Sequence, residues 1–403
     1  MKLILFCHPD FLSSQSMPRF AQMLRDSYLA RGHTVEIWAP QARVFKWIPA
    51  VRLAKWGGYM DQYVLFPIWV RKMLKRISAD TLFVFCDQAL GPWVPLVRHR
   101  PHVVHVHDLL ALRSALGEFA EHRTSCTGRI YQRYIRRGFQ QARHFICISK
   151  QTRNDLHRVT KVKALTSEVV YNGLNFPYAP MAPDDSKRIL SALGMVIPSA
   201  GILLHVGGGQ WYKNLTGVVS LYAHYARESK DPLPLWCISP APNAAVKSAL
   251  AQVPGGGRVV FFQKLDSRVL QAIYSNARAL LFPSLAEGFG WPLIEAQACG
   301  CPVITTDEAP MNEVAGDAAC YLPRLSFEGD RDAWADHGAG VLRSLLSENA
   351  ADRAQRAERG RLWAKRFDAD KAIEAYLAIY GRILDNAAAQ PCTDRALNRG
   401  AQI

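Results

Sequence analysis

Short apolar runs recur along the chain, and helix-like segments separate many of them. In the first half, residues 3–7, 34–39, 81–86, 103–107 and 144–148 are near-continuous apolar runs. Continuity without polar alternation predicts strands buried on both faces, as in a parallel sheet. Phe20, Met23, Leu24 and Leu29 fall on one side of a predicted helix over 18–31, which Gly32 stops. A second helix is predicted over 129–142. The segment 177–186 carries three prolines and a turn cluster and reads as a linker. Beyond it the alternation resumes. Strands are expected at 202–206, 235–238, 259–262, 279–282 and 303–305, and helices at 215–227, 293–298 and 350–366. The last predicted helix, 371–384, puts Ile373, Tyr376, Leu377, Tyr380 and Leu384 on one stripe. Residues 387–403 read as a disordered tail.

Strands alternating with helices imply an α/β fold with doubly wound sheets. A chain of 403 residues is too long for one ordinary core. Two domains are therefore expected, 1–177 and 186–366, followed by a terminal helix over 367–386. No apolar run reaches the ~20 residues that cross a bilayer, and the N-terminus is too short in apolar residues for a signal peptide. Nine scattered cysteines, with Cys299 and Cys301 lacking a second pair, are expected to be reduced, packed thiols in a cytoplasmic protein.

Charge is unevenly placed. Residues 1–180 hold 26 Lys and Arg against 11 Asp and Glu, whereas residues 181–403 hold 23 of each. The net +15 thus resides in the first half, where it attracts anionic partners.

Two loops carry the candidate chemistry. Strand 202–206 runs into Gly207-Gly-Gly-Gln-Trp-Tyr-Lys213-Asn and then a helix. Gly208 and Gly209 let backbone amides approach an anion, the helix start adds partial positive charge, and Lys213 adds a full one. A tight turn with a solvated lysine is the plainer alternative. The second loop reads Pro283-Ser-Leu-Ala-Glu287-Gly-Phe-Gly-Trp-Pro-Leu-Ile-Glu295. Gly288, Phe289 and Gly290 bare backbone at a helix mouth that Trp291 and Leu293 enter. Glu287 and Glu295 can accept hydrogen bonds from sugar and ribose hydroxyls, which leaves phosphate charge to Lys213 and the amides.

These motifs resemble the donor-site signature of the retaining family-four glycosyltransferases. Glu295-Ala-x-Ala-Cys-Gly300, Pro302-Val, Asn172-Gly173 and Glu313-Val-x-Gly-Asp317-Ala strengthen the likeness. The resemblance implies the GT-B fold: two facing Rossmann-like doubly wound domains with an interdomain cleft, the last helix returning to the first domain. It implies hexose transfer, mannose or glucose, from a GDP- or UDP-linked sugar to a glycan or lipid-diphosphate-linked acceptor, with retention and without a metal or other cofactor. Glu287 would touch the donor sugar, Glu295 the ribose and Lys213 the β-phosphate. His107, ending the strand 103–107, would lie near the transferred sugar. Relatives carry an arginine where Gly208 and Gly209 stand, so Lys264 or Arg268 is the candidate second basic contact. The usual Gly-Gly turn after the first strand is also absent. Ser14, Gln15 and Ser16 are candidate acceptor residues there, with Asp108 and Ser149. An epimerase or phosphorylase on this fold, or a non-catalytic polyanion-binding protein, is the alternative.

Segment 43–76 holds eight Lys and Arg against Asp61 alone, interleaved with seven aromatic residues. That mixture suits an anionic membrane surface. A partly buried lobe with a solvated basic face fits it as well, and no nucleic-acid partner is expected. Docking would put the protein at the inner face of the plasma membrane. Oligomeric state is not legible.

Overall fold

The computed structural model describes residues 1–12, 16–47 and 51–389. The chain forms two compact units. One comprises Met1–Glu118, Thr124–Tyr171 and the chain from Asp370; the other comprises Phe119–Arg123 and Asn172–Ala369.

The first unit is built on a six-stranded parallel sheet. Its strands are β1 (Lys2–Phe6), β2 (Thr34–Trp38), β3 (Thr81–Phe85), β4 (His102–Val106), β5 (His144–Cys147) and β6 (Thr166–Val169), in the order β2-β1-β3-β4-β5-β6. Side chains alternate between two cores. Ile4, Phe6, Phe83, Phe85 and Val104 face one, beneath Phe66, Trp93 and Phe139. Leu3, Leu5, Leu82, Val84 and Val103 face the other, covered by helices Ser16–Ala30 and Ala369–Ala389. Burial on both faces is the physical reason the runs read as continuous.

The terminal helix packs through Ile373, Tyr376, Ile379, Tyr380 and Ile383. Tyr380 accepts a hydrogen bond from the Tyr28 hydroxyl at 3.1 Å and pairs with His105 Nε2 at 2.6 Å. The helix continues to Ala389, so 387–389 is not disordered as expected; residues 390–403 lie outside the described residues.

The second unit repeats the plan with β7 (Ile202–Val206), β8 (Leu235–Ile238), β9 (Val259–Phe262), β10 (Ala277–Phe282), β11 (Val303–Thr306) and β12 (Cys320–Leu322). All pairings are parallel, in the order β12-β11-β10-β7-β8-β9. Helices Leu215–Glu228 and Arg331–Ser347 cover one face through Leu221, Tyr222, Trp334 and Leu342. The linker reading of 177–186 needs correction at its end. Pro183 opens helix Pro183–Ser191, with Asp184 and Asp185 in the first turn. Proline suits a first helical position because its missing N–H would have no partner there, and acids near that end oppose the helix dipole.

Candidate functional site

In an open α/β sheet, ligands gather at the carboxyl ends of the strands where the strand order reverses. In the second unit that point lies between β7 and β10, since β8 and β9 follow on one side and β10 and β11 on the other. The loop after β7 is Gly207–Asn214 and the loop after β10 carries Glu287–Gly290, so both candidate loops meet at the reversal. Leu285 N donates to Tyr212 O at 2.7 Å, and Asn214 Nδ2 to Pro283 O at 3.0 Å. Asn214 also caps the helix Leu215–Glu228 through Gly217 N, in a left-handed conformation (φ 53°). Thr306 Oγ1 donates to Ser284 O from the neighbouring strand end.

Lys213 Nζ donates to Glu287 Oε1 at 2.7 Å; the side chains are 15% and 6% exposed. The ammonium also lies 5.1 Å from the Phe282 ring centroid. This pair brings together the phosphate and sugar candidates. Gly290, the N-cap of helix Trp291–Ala298, has φ 99°, a backbone only glycine adopts without strain. Gly208 and Gly209 lie in the first loop, and Gly288 and Phe289 in the second; the Phe289 ring is buried against Phe367.

Glu295 lies within the helix and is buried. Tyr274 donates its hydroxyl to Glu295 Oε2 at 2.9 Å. Burial raises the Glu295 carboxyl to about 7, while the Tyr274 bond and the Lys213 charge lower it. Tyr274 is not marked by the sequence, because nothing in helix Ser267–Asn276 shows that its one tyrosine faces a glutamate 21 positions away.

Several candidates sit differently than expected. Leu293 is fully buried and its N–H donates to Gly290 O at 3.0 Å. The Trp291 indole donates to Gly173 O. Lys264 is exposed with φ 55° after β9, an edge strand separated from β7 by β8, and Arg268 is exposed on the next helix.

In the first unit, the His107 ring is buried, with Nε2 at 3.0 Å from Cys86 O and Phe20 edge-on at 4.5 Å. Burial lowers its pKa, so the ring is neutral at pH 7. Ser149 does not face open space: it is wholly buried and caps helix Lys150–Thr160 through Thr152 N. Asp108 accepts from the N–H of Leu110, the first residue of helix Leu110–Ala115, at 3.0 Å. Ser14 and Gln15 lie outside the described residues. Of Ser16 only the backbone is described, opening helix Ser16–Ala30. Among the described residues, no three His, Cys, Asp or Glu side chains converge as a metal-binding set.

The basic segment folds as a lobe and keeps an apolar exterior. Asp61, its only acid, is buried and accepts from the backbone N–H groups of Arg43, Val44 and Phe45 at 2.9–3.1 Å. Helix Val51–Met60 continues through a π-helical turn, Asp61–Leu65, into Phe66–Leu74. Trp56, Met60, Val64 and Ile68 lie exposed at every fourth position. The Tyr63 and Tyr131 hydroxyls meet at 2.6 Å, which joins this lobe to helix Cys126–Phe139, where Ile130 and Tyr134 are also exposed. No helix among the described residues is long and apolar enough to cross a membrane.

The architecture is that of GT-B glycosyltransferase structures. WaaG, a glycosyltransferase involved in lipopolysaccharide biosynthesis, superposes with a TM-score of 0.69, covering 94% of this chain and 99% of that one at 16% identity. Sucrose-phosphate synthase from Thermosynechococcus elongatus gives 0.70, covering 96% and 100% at 18% identity. Residues 17–176 match the family described as Glycosyltransferase Family 4, and residues 198–363 the one described as Glycosyl transferases group 1. The chain belongs to glycosyltransferase family 4. O-antigen chain mannosyltransferase B of Escherichia coli is 24% identical over 243 residues, 59% of this chain and 60% of that protein. D-inositol 3-phosphate glycosyltransferase of Xylanimonas cellulosilytica is 28% identical over 243 residues, 59% and 56%. The chain therefore spans about 60% of the length of the curated relatives it matches.

Proposed function

We propose that this protein transfers a hexose, mannose or glucose, from a GDP- or UDP-linked donor to a hydroxyl of a glycan or lipid-linked acceptor in surface polysaccharide synthesis. The observation that carries this reading is the Lys213–Glu287 pair beside the buried Glu295 at the strand-order reversal of the second unit. The relative named O-antigen chain mannosyltransferase B supports mannose and polysaccharide. HepE from Anabaena, solved in complex with UDP and glucose, supports a nucleotide-sugar donor.

In this reading Lys213 and the loop amides take the diphosphate, Glu295 accepts from the ribose diol and Glu287 from the sugar. Charge develops on the diphosphate as the glycosidic bond breaks. In this reading Lys213 and the helix N-termini beside it stabilise that charge, and no metal is assigned. Attack from the face the diphosphate leaves gives retention, with the diphosphate taking the acceptor proton. The apolar row Trp56–Met60–Val64–Ile68, with Lys55, Arg71, Lys72, Lys75 and Arg76 on the same helical stretch, suits an anionic membrane carrying the acceptor.

A panel of GDP- and UDP-sugars, scored by thermal shift and by hydrolysis, tests the assignment. One sugar nucleotide is expected to raise the melting temperature and to be slowly consumed. If none does either, the transferase reading fails.

A further inference from the structure

The first unit has a strand-order reversal of its own, and it is occupied. β2 and β3 flank β1, so the order reverses between β1 and β3. His8 follows β1 by two residues and Asp87 follows β3 by two. His8 Nε2 lies 2.7 Å from Asp87 Oδ2, and the two side chains are 16% and 10% exposed. The other Asp87 oxygen accepts from Ala89 N at 3.1 Å, which locks the carboxylate.

Burial raises the Asp87 pKa, but the hydrogen bond with His8 leads the influences that outweigh it and hold the group ionised. An ionised carboxylate takes the Nε2–H, which leaves Nδ1 as the ring nitrogen that Asp87 does not engage. Among the described residues, no hydrogen bond reaches that nitrogen. A carboxylate at this point disfavours a phosphate and favours a neutral ligand rich in hydroxyls. His107, from the end of β4, is held to Cys86 O by Nε2 and backs the pair.

We propose that His8, oriented by Asp87, binds the hydroxyl acceptor: Nδ1 accepts a hydrogen bond from the attacking sugar hydroxyl and aims it. The proposal rests on the glycosyl-transfer reading and adds a residue to it. The two units would then divide the substrates by charge. The reversal between β7 and β10 carries a lysine and two glycine-bearing loops for the diphosphate. The reversal between β1 and β3 carries an imidazole–carboxylate pair for a hydroxyl.

The test compares wild type with His8→Ala, His8→Asn and Asp87→Asn. Rates are measured with the sugar nucleotide that wild type consumes, using water, octyl glucoside and octyl mannoside as hydroxyl probes. Nucleotide-sugar Kd is expected to stay within about twofold in every variant. His8→Ala should raise the octyl glycoside KM at least tenfold, or slow hydrolysis tenfold where water alone reacts. His8→Asn, which restores an acceptor atom near the Nδ1 position, should recover most of the loss, and Asp87→Asn should fall between. Unchanged kinetics in all variants overturns the proposal, and so does a parallel loss of donor binding. If wild type binds no sugar nucleotide, the glycosyl-transfer reading fails instead.

Discussion

Glu295 provides the sharpest quantitative check on the proposed donor site. Burial lifts its carboxyl from an ordinary 4.5 to about 7. A shift of that size corresponds to about 3 kcal/mol. The sign follows from linkage. Below pH 4.5 the group is protonated in both the folded and the unfolded chain, so it costs nothing. Between 4.5 and 7 only the unfolded chain ionises, and stability falls. Above 7 the folded state carries the full cost of a buried charge. Glu295→Gln keeps the shape and the acceptor for Tyr274 but does not titrate. Its stability relative to wild type is therefore expected to rise by about 3 kcal/mol between pH 4.5 and pH 8.

Urea unfolding at both pH values, with m-values compared, measures this. Ligand binding should show the opposite preference, because ribose hydroxyls donate to an ionised carboxylate. Affinity for the sugar nucleotide should rise up to tenfold per pH unit below 7 and then level off, and Glu295→Gln should abolish the trend. The ligand must be the sugar-capped diphosphate, since a terminal phosphate itself titrates near pH 6. A stability difference that is equal at pH 4.5 and pH 8 would refute the reasoning.

Other expectations are simpler. Lys213→Met leaves Glu287 buried without its cation, so it should cost about 3 kcal/mol in stability and abolish nucleotide binding; adding Glu287→Gln should restore the stability but not the binding. Glu287→Ala should impair transfer more than nucleoside diphosphate affinity, as titration calorimetry and initial rates will show. Gly138→Ala would drive a Cβ into the Gly91 backbone, where helix Cys126–Phe139 crosses its neighbour closely, and should lower the melting temperature well beyond the effect of a surface change. Pelleting with anionic vesicles should fall when Trp56 and Ile68 become Ser, and should fall for wild type as salt rises; equal pelleting of wild type and variant would remove the docking face.

Much of the fold was legible because parallel sheets leave a simple imprint. Every predicted strand exists, within one or two residues; most are buried on both faces and therefore apolar, and the edge strands β2 and β9 are the more exposed ones. Strands at the margin were missed for the converse reason. β6 carries Thr166, Ser167 and Glu168 at the sheet edge, and β12 is three residues long. Helix Pro183–Ser191 was hidden by the very proline that starts it.

The two candidate loops were legible down to single residues, because glycine at a helix mouth and two carboxylates eight positions apart are local chemistry. Partners distant in sequence were not. Nothing local to Glu295 shows that Tyr274 meets it, and nothing near Ser149 distinguishes a buried cap from a ligand-facing hydroxyl. The basic lobe was legible as a composition but not as a surface. Asp61 and Phe66 turned inward while Trp47, Trp56 and Ile68 stayed outside.

By itself the sequence marked most of the elements, their parallel arrangement and Lys213, Glu287 and Glu295 as candidate residues, since these depend on patterns a few residues long. Tertiary structure alone decided which strands meet where the order reverses. It thereby brought His8 to Asp87 across 79 positions and Lys213 to Glu287 across 74. Strand order follows from packing the whole unit, and no short segment encodes it.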